Sequence, residues 1–146
     1  MGKLLDKAIK IAVDAHSSQL DKAGSNYIFH PLRVMLKLNS EEERIVGVLH
    51  DVIEDTDITY EFLKAEGFSK NIIEALKNVT KLDNESYMVF IKRAKSNEIS
   101  RAVKLADLED NMDMSRINNP TEKDYMRLEK YMQAKTLLLD DNYTEK

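Results

Sequence analysis

Three histidines, His16, His30 and His50, all fall in the first 50 residues, and His50 opens the run HDVIED with Asp51, Glu54 and Asp55. On a helix His50 and Glu54 lie one turn apart, as do Asp51 and Asp55, so imidazole and carboxylate groups share one side. Such a mixed nitrogen and oxygen set suits a divalent cation such as Mn²⁺, Fe²⁺ or Zn²⁺. The absence of cysteine turns the reading from a closed structural zinc site towards an open catalytic one. A cation held there would lower the pKa of a coordinated water and neutralise phosphate oxygens, which makes hydrolysis at phosphorus feasible. A solvated acidic helix end would carry the same letters.

A second segment, RAVKLADLEDN, places Lys104, Asp107 and Asn111 at i, i+3 and i+7, which is one helical face. A cation, a carboxylate and an amide are thereby offered together. An exposed acid beside a surface lysine is the plainer reading of this segment alone. The conjunction of the two segments is what favours a site.

These groups must be held by helices. Apolar residues recur at helical spacing, as in Leu4, Leu5, Ala8, Ile9 and Ala12, and no strand pattern competes, so the fold class is all-α. The pattern predicts helices over 3–18, 30–38, 41–53, 59–66, 69–80, 85–96, 98–113 and 121–139, seven or eight in all. Ser40 with Glu43 forms a capping-box signature, and Thr59, Ser69 and Thr121 mark further helix starts. The breaks fall at Leu20–Phe29, Glu54–Ile58 and Ser115–Pro120, and two of them flank the chemistry. The tail DDNYTEK is polar and is expected to fray.

At 146 residues and 42% hydrophobic content, one core can be buried without disulfides, so residues 1–146 are expected to be a single domain. Lys3, Asp6, Lys7, Lys10 and Asp14 interrupt the first helix, which excludes the apolar run of a signal peptide or membrane span. A cytoplasmic protein is expected. A net charge of −4 without a basic run argues against nucleic-acid and membrane-surface partners.

The order H, then HD, then D, realised as His30, His50-Asp51 and Asp107, resembles the HD phosphohydrolase superfamily. More narrowly, AHSSQLDKAGSNYIFHPLRV, LHDVIEDT, VTK and VKLADLEDN resemble the hydrolase domain of the RelA/SpoT alarmone enzymes and their small stand-alone relatives. The similarity runs from about Ala15 to Tyr131. It implies a compact HD-type helical bundle that removes the 3′-pyrophosphate of ppGpp; 146 residues leave no room for a synthetase half, so a hydrolase-only protein is expected. By the resemblance His30, His50, Asp51 and Asp107 would hold Mn²⁺ or another divalent transition metal, and Glu54 and Asp55 would orient or deprotonate the attacking water. Asn111, Arg127 and Tyr131 match nucleotide-contacting positions, and Lys104 joins them. Lys22 and Tyr27 lie in the loop that approaches the base, where a cationic or aromatic face can stack. His16 is left outside the metal shell.

Three positions depart from the family pattern. Asp21 stands where an arginine is usual, Leu108 where a basic residue follows the aspartate, and Met114 where a threonine often lines the pocket. An acid near the base removes a cation-π partner and repels phosphate. The sequence therefore names the reaction class more firmly than the substrate. NADPH-like dinucleotides and deoxynucleoside monophosphates stay open as substrates. So do a nucleotide sensor without turnover and a purely helical interaction module. No oligomeric state follows from the sequence.

Overall fold

The computed structural model describes residues 2–140; the polar tail beyond, expected to fray, lies outside them. Its helices are α1 (Lys3–Ala15), α2 (Phe29–Leu36), α3 (Glu41–Leu49), α4 (Val52–Asp55), α5 (Tyr60–Ala65), α6 (Lys70–Asn78), α7 (Tyr87–Lys95), α8 (Glu98–Asn111) and α9 (Glu122–Leu139), with a 3₁₀ turn at Met114–Arg116. Among the described residues the only β pairing is an isolated bridge, Leu20 with Asn26, which closes the loop between α1 and α2. The all-α expectation holds, and the eight expected segments each have a counterpart.

Helix starts follow the sequence signals. Ser40 Oγ accepts from Glu43 N at 3.1 Å while Glu43 returns a bond to Ser40 N, completing the capping box. Thr59, Ser69 and Thr121 each accept from the amide three residues on, satisfying donors that a helix start leaves open. Ser86 and Asn97 do the same for α7 and α8.

α3 is the central helix: Ile45, Val46, Gly47, Val48 and Leu49 are all buried, and it packs against α1, α2, α6 and α8. The second half of α3 is apolar around its whole circumference and has to be enclosed in this way. Ile45, Leu49, Ile73 and Leu76 are at most 2% exposed, each removing about 1.5–3 kcal/mol of apolar side chain from water. Gly47 sets the approach of α3 to α2, since a Cβ there would lie 2.6 Å from Leu38 Cδ1 and 3.6 Å from the Met35 backbone. A second cluster of Phe90, Ile91, Leu108, Ala134 and Leu138 joins α7, α8 and α9. α8 belongs to both clusters, through Val103 and Ala106 on one side and Leu108 on the other. Leu108 is completely buried there, so its apolar side chain is part of the packing.

Candidate metal centre and adjoining cleft

The expected unbroken helix over 41–53 is interrupted at His50-Asp51, between α3 and α4. His50 Nδ1–H donates to the Gly47 carbonyl at 2.6 Å, taking the acceptor that a continuing helix would offer to the amide of Asp51. α4 restarts with Asp55 N donating to Asp51 O at 3.0 Å. The break lets consecutive side chains face one site, which residues 100° apart on a regular helix would not do.

His30 comes from the first turn of α2 and Asp107 from the last turns of α8. His30 Nε2 is 2.9 Å from Asp107 Oδ1 and 3.7 Å from Asp51 Oδ2, while His50 Nε2 is 3.3 Å from Asp107 Oδ1 and 3.1 Å from Asp51 Oδ2. Spacings of this order separate neighbouring ligands around a cation held at about 2.0–2.2 Å. His30, His50 and Asp107 together form a group able to hold a metal ion, and Asp51 stands beside them. His50 Nε2 is buried without hydrogen-bond geometry to either carboxylate and finds no such partner among the described residues. Its other nitrogen is spent on Gly47, so Nε2 presents a lone pair into the cluster, as a metal ligand must. The residues fit a divalent cation.

The electrostatics favour positive charge at the same spot. Burial lowers the pKa of His50, yet the Asp51 and Asp107 carboxylates raise it well above its usual value. Burial likewise opposes a charged His30, but bonds to Asp107 and Asp110 raise it. Against the same desolvation, Lys104 and the two histidines hold Asp107 well below the usual carboxylate range. Asp51 is drawn down to about 2, burial being outweighed by His50. Protons and metal ions compete for such a cluster.

The ring of supporting bonds includes residues the sequence reading did not single out. His30 Nδ1–H donates to Asp110 Oδ2 at 2.6 Å, and Arg33 grips the same carboxylate through Nε at 2.7 Å and Nη2 at 3.0 Å. A carboxylate behind a ligating histidine fixes its tautomer and raises its basicity. The signal was present in the spacing: Arg33 follows His30, and Asp110 follows Asp107, by three residues. Tyr27 donates its hydroxyl to Asp51 Oδ2 and lays its ring against His16 and His30. Lys104 Nζ sits 2.7 Å from Asp107 Oδ2, and Asn111 Nδ2 donates to Asp107 Oδ1 at 3.0 Å. The shared face read for Lys104, Asp107 and Asn111 is therefore real.

Glu54 and Asp55 are exposed on α4 beside this cluster. Partial desolvation and then the Asp51 charge raise both carboxyls above their usual values. His16 is buried, with Nδ1 bonded to Gln19 Oε1 at 2.9 Å.

A cleft of about 300 Å³ opens beside His30, and Lys22, Tyr27, Asn111, Met114, Arg127 and Tyr131 line it. Lys104 does not, its ammonium being enclosed between Asp107 and the Phe90 ring, 4.9 Å from the centroid. Asp21 borders the cleft, but its Oδ1 accepts from Ala23 N and Ser25 N, both at 2.9 Å. That carboxylate caps its own turn. Arg127 holds Asp124 at 2.7 Å.

No protein-family model matches the sequence. Over 110 residues the chain is 36% identical to the guanosine-3′,5′-bis(diphosphate) 3′-pyrophosphohydrolase of Aquifex aeolicus, covering 73% of this chain and 15% of that protein. It is 40% identical over 86 residues to the bifunctional (p)ppGpp synthase/hydrolase SpoT of Escherichia coli K12, covering 56% and 12%. The chain thus spans a small fraction of the length of these relatives. Among solved structures, one described as a metazoan ortholog of SpoT that hydrolyses ppGpp superposes with a TM-score of 0.78 over 99% of this chain and 89% of its own, at 20% identity. Sequence similarity to the one group and fold similarity to the other make this chain a RelA/SpoT-type HD domain.

Proposed function

We propose that the chain, as one HD-type domain over residues 1–146, is a metal-dependent phosphohydrolase that removes the 3′-pyrophosphate of ppGpp or a close analogue. The observation that carries this reading is the buried His50 Nε2, which has no hydrogen-bond partner among the described residues and faces Asp51, Asp107 and His30. A polar atom left bare in a protein interior costs free energy unless a ligand satisfies it. The relatives named for ppGpp hydrolysis supply the substrate class.

His30, His50, Asp51 and Asp107 would hold the cation, which we take to be Mn²⁺. When bound it supplies Lewis acidity towards water and phosphate oxygens. Glu54 and Asp55, with carboxyls raised by desolvation and the Asp51 charge, are suited to accept the proton of the attacking water near neutral pH. Asp110 and Arg33 keep His30 in the tautomer whose Nε2 faces the ligand cluster. Lys104 and Asn111 hold Asp107 in place, and Asn111 borders the cleft that would take the nucleotide. Arg127 and Tyr131 would meet the phosphates in the cleft, and Lys22 and Tyr27 the base. No helix among the described residues is long and apolar enough to cross a membrane, and we assign the protein to the cytoplasm with a small nucleotide as its partner, not a nucleic acid.

The test is pyrophosphate release from ppGpp with Mn²⁺, run beside pppGpp, NADPH and deoxynucleoside monophosphates. Metal-dependent release from ppGpp supports the reading. Tight ppGpp binding without turnover under Mn²⁺, Co²⁺ and Mg²⁺ would replace the enzyme by a nucleotide sensor, and release from another nucleotide alone would move the substrate.

A further inference from the structure

Two arginines from different elements meet in the cleft beside His30. Arg33, on α2, bonds both oxygens of Asp110, through Nε to Oδ1 at 2.7 Å and through Nη2 to Oδ2 at 3.0 Å. Arg116 ends the 3₁₀ turn; its Nη2 donates to the Asp110 carbonyl at 3.1 Å and lies 3.6 Å from the same Oδ2. Both arginines line the cleft, and each side chain is about a third exposed. Sharing one carboxylate oxygen sets the two guanidiniums side by side.

Asp110 has no need of the second cation. Its Oδ2 already accepts from His30 Nδ1 at 2.6 Å and from Arg33, and its Oδ1 accepts from Arg33. The counter-charge left to Arg116 is Asp113, whose Oδ2 is 3.2 Å from Nη1 and whose side chain is 48% exposed. Exposed pairs of this kind contribute little and are readily exchanged. Asp21 also borders the cleft, but its Oδ1 is held by the amides of its own turn. Arg33 Nη1 and Arg116 Nε meet no protein acceptor among the described residues. Paired guanidinium forks with donors to spare suit a phosphate group, which accepts on several oxygens at once.

Position in the cleft decides which phosphate. Asp110 bonds the ring nitrogen of His30 that faces away from Asp107, so an imidazole and a carboxylate separate the arginine pair from the ligand cluster. A phosphate held there is not the one attacked. We propose that Arg33 and Arg116 form a second phosphate subsite, which takes the 5′-phosphates of a nucleotide whose 3′-pyrophosphate lies at the metal centre, Arg116 exchanging Asp113 for phosphate. The inference rests on the nucleotide reading above and adds to it a determinant of affinity at the far end of the substrate.

Titration calorimetry of the whole protein with GDP beside guanosine, and ADP beside adenosine, tests the subsite without turnover, because none of the four carries a 3′-phosphate. A diphosphate should bind on the order of tenfold tighter than its nucleoside, the scale of one hydrogen bond between charged groups, and should do so without Mn²⁺. Arg116→Gln should erase that difference and leave nucleoside binding as it was. Arg33→Lys keeps a cation on Asp110 but gives up the spare Nη1, and should lose part of the diphosphate affinity. Asp113→Asn keeps an acceptor for the Ser115 amide and frees Arg116, so it should tighten diphosphate binding by about threefold, the worth of an exposed pair; misfolding cannot produce that gain. In turnover with Mn²⁺, Arg116→Gln should raise the KM for ppGpp on the order of tenfold at unchanged kcat, the mark of uniform binding lost, and should change neither constant for guanosine 3′-diphosphate. Equal binding of diphosphate and nucleoside, no measurable binding of GDP or ADP, diphosphate binding that requires Mn²⁺, undiminished diphosphate affinity in Arg116→Gln, or weaker binding in Asp113→Asn would each overturn the subsite. The calorimetric outcomes do not depend on hydrolysis, so a failure of ppGpp to turn over would remove the substrate reading alone.

Discussion

Arg93 and His50 each sit at the middle of a partly or wholly buried charged cluster, and the two clusters differ in what they leave unsatisfied. Arg93 on α7 bonds both oxygens of Glu85, at 2.8 and 2.9 Å, the Thr80 carbonyl at 2.7 Å, and the Lys77 carbonyl. It thereby ties the end of α6 and the connection into α7 to one guanidinium. Donors and acceptors are matched within the protein, so that knot is scaffold. At His50 the counting fails: among the described residues Nε2 is buried without a hydrogen-bond partner, and the Asp51 and Asp107 carboxylates repel one another across it. A cluster that closes only when a cation is added is a binding site, whereas one that closes by itself is architecture.

The sharpest way to break this comparison is His50→Ala. Loss of one ligand should reduce Mn²⁺-dependent pyrophosphate release by about 10³-fold or more, since metal activation supplies several kcal/mol of transition-state stabilisation. Mn²⁺ at about one hundred times its Kd should stabilise the wild type by about 2.7 kcal/mol. The variant should show no such rise in Tm. Undiminished turnover would remove His50 from the chemistry and with it the contrast.

Arg93→Ala should do the reverse. The Glu85 side chain is 7% exposed and that of Arg93 25%, so the cost should be about 2–3 kcal/mol, below the 3–5 kcal/mol of a wholly buried pair because part of the guanidinium stays in water. Urea denaturation measures that loss, while kcat per folded molecule should stay within about twofold, as for a site away from the chemistry. A variant of full stability and low turnover would make the knot part of the site.

Acid should separate the two clusters as well. The hydrogen bond from Arg93 holds the Glu85 carboxyl below its usual value. A depressed folded pKa contributes stability that is present above the unfolded value of about 4.3 and is lost as pH falls through the folded one. The stability difference between the wild type and Glu85→Gln should therefore be constant from about pH 7 to 5.5 and shrink below that. Denaturation midpoints across that range decide it; a difference that persists unchanged to about pH 3 would show that the charge of Glu85 is irrelevant to the knot.

The sequence made the helices legible because their signals are local: capping residues three apart and apolar residues at a 3.6-residue period. His30, His50, Asp51 and Asp107 could be picked out by residue type and order. The interruption at His50-Asp51 could not, because it depends on an imidazole taking the Gly47 carbonyl, a choice made by tertiary surroundings and not by helix propensity. Asp110 and Arg33 were also missed, since an acid and a base three residues from a candidate ligand look like ordinary helix surface until α2 and α8 are packed together. Leu108 shows the same limit from the other side: as a departure from a pattern it suggested altered chemistry, whereas in the fold it fills the cluster between α8 and α9.

Asp21 gives the smallest and most discriminating test of the rule drawn from Arg93 and His50. It borders the cleft and replaces an arginine of the family pattern, which on charge alone argues for weakened nucleotide binding. Yet its carboxylate is already engaged by the Ala23 and Ser25 amides, so by the criterion of internal satisfaction it is scaffold. Asp21→Asn keeps an acceptor for those amides and removes the charge; Asp21→Ala removes both. If the rule holds, Asn should leave stability unchanged and shift the KM for ppGpp by less than about threefold, the residual of a screened charge at a half-buried position open to solvent on one side. Ala should cost about 1 kcal/mol, comparable to losing a helix cap. A KM that improves about tenfold or more in Asp21→Asn would mean that the charge reaches the substrate despite its local bonds, and that satisfaction inside the protein is not enough to tell scaffold from site.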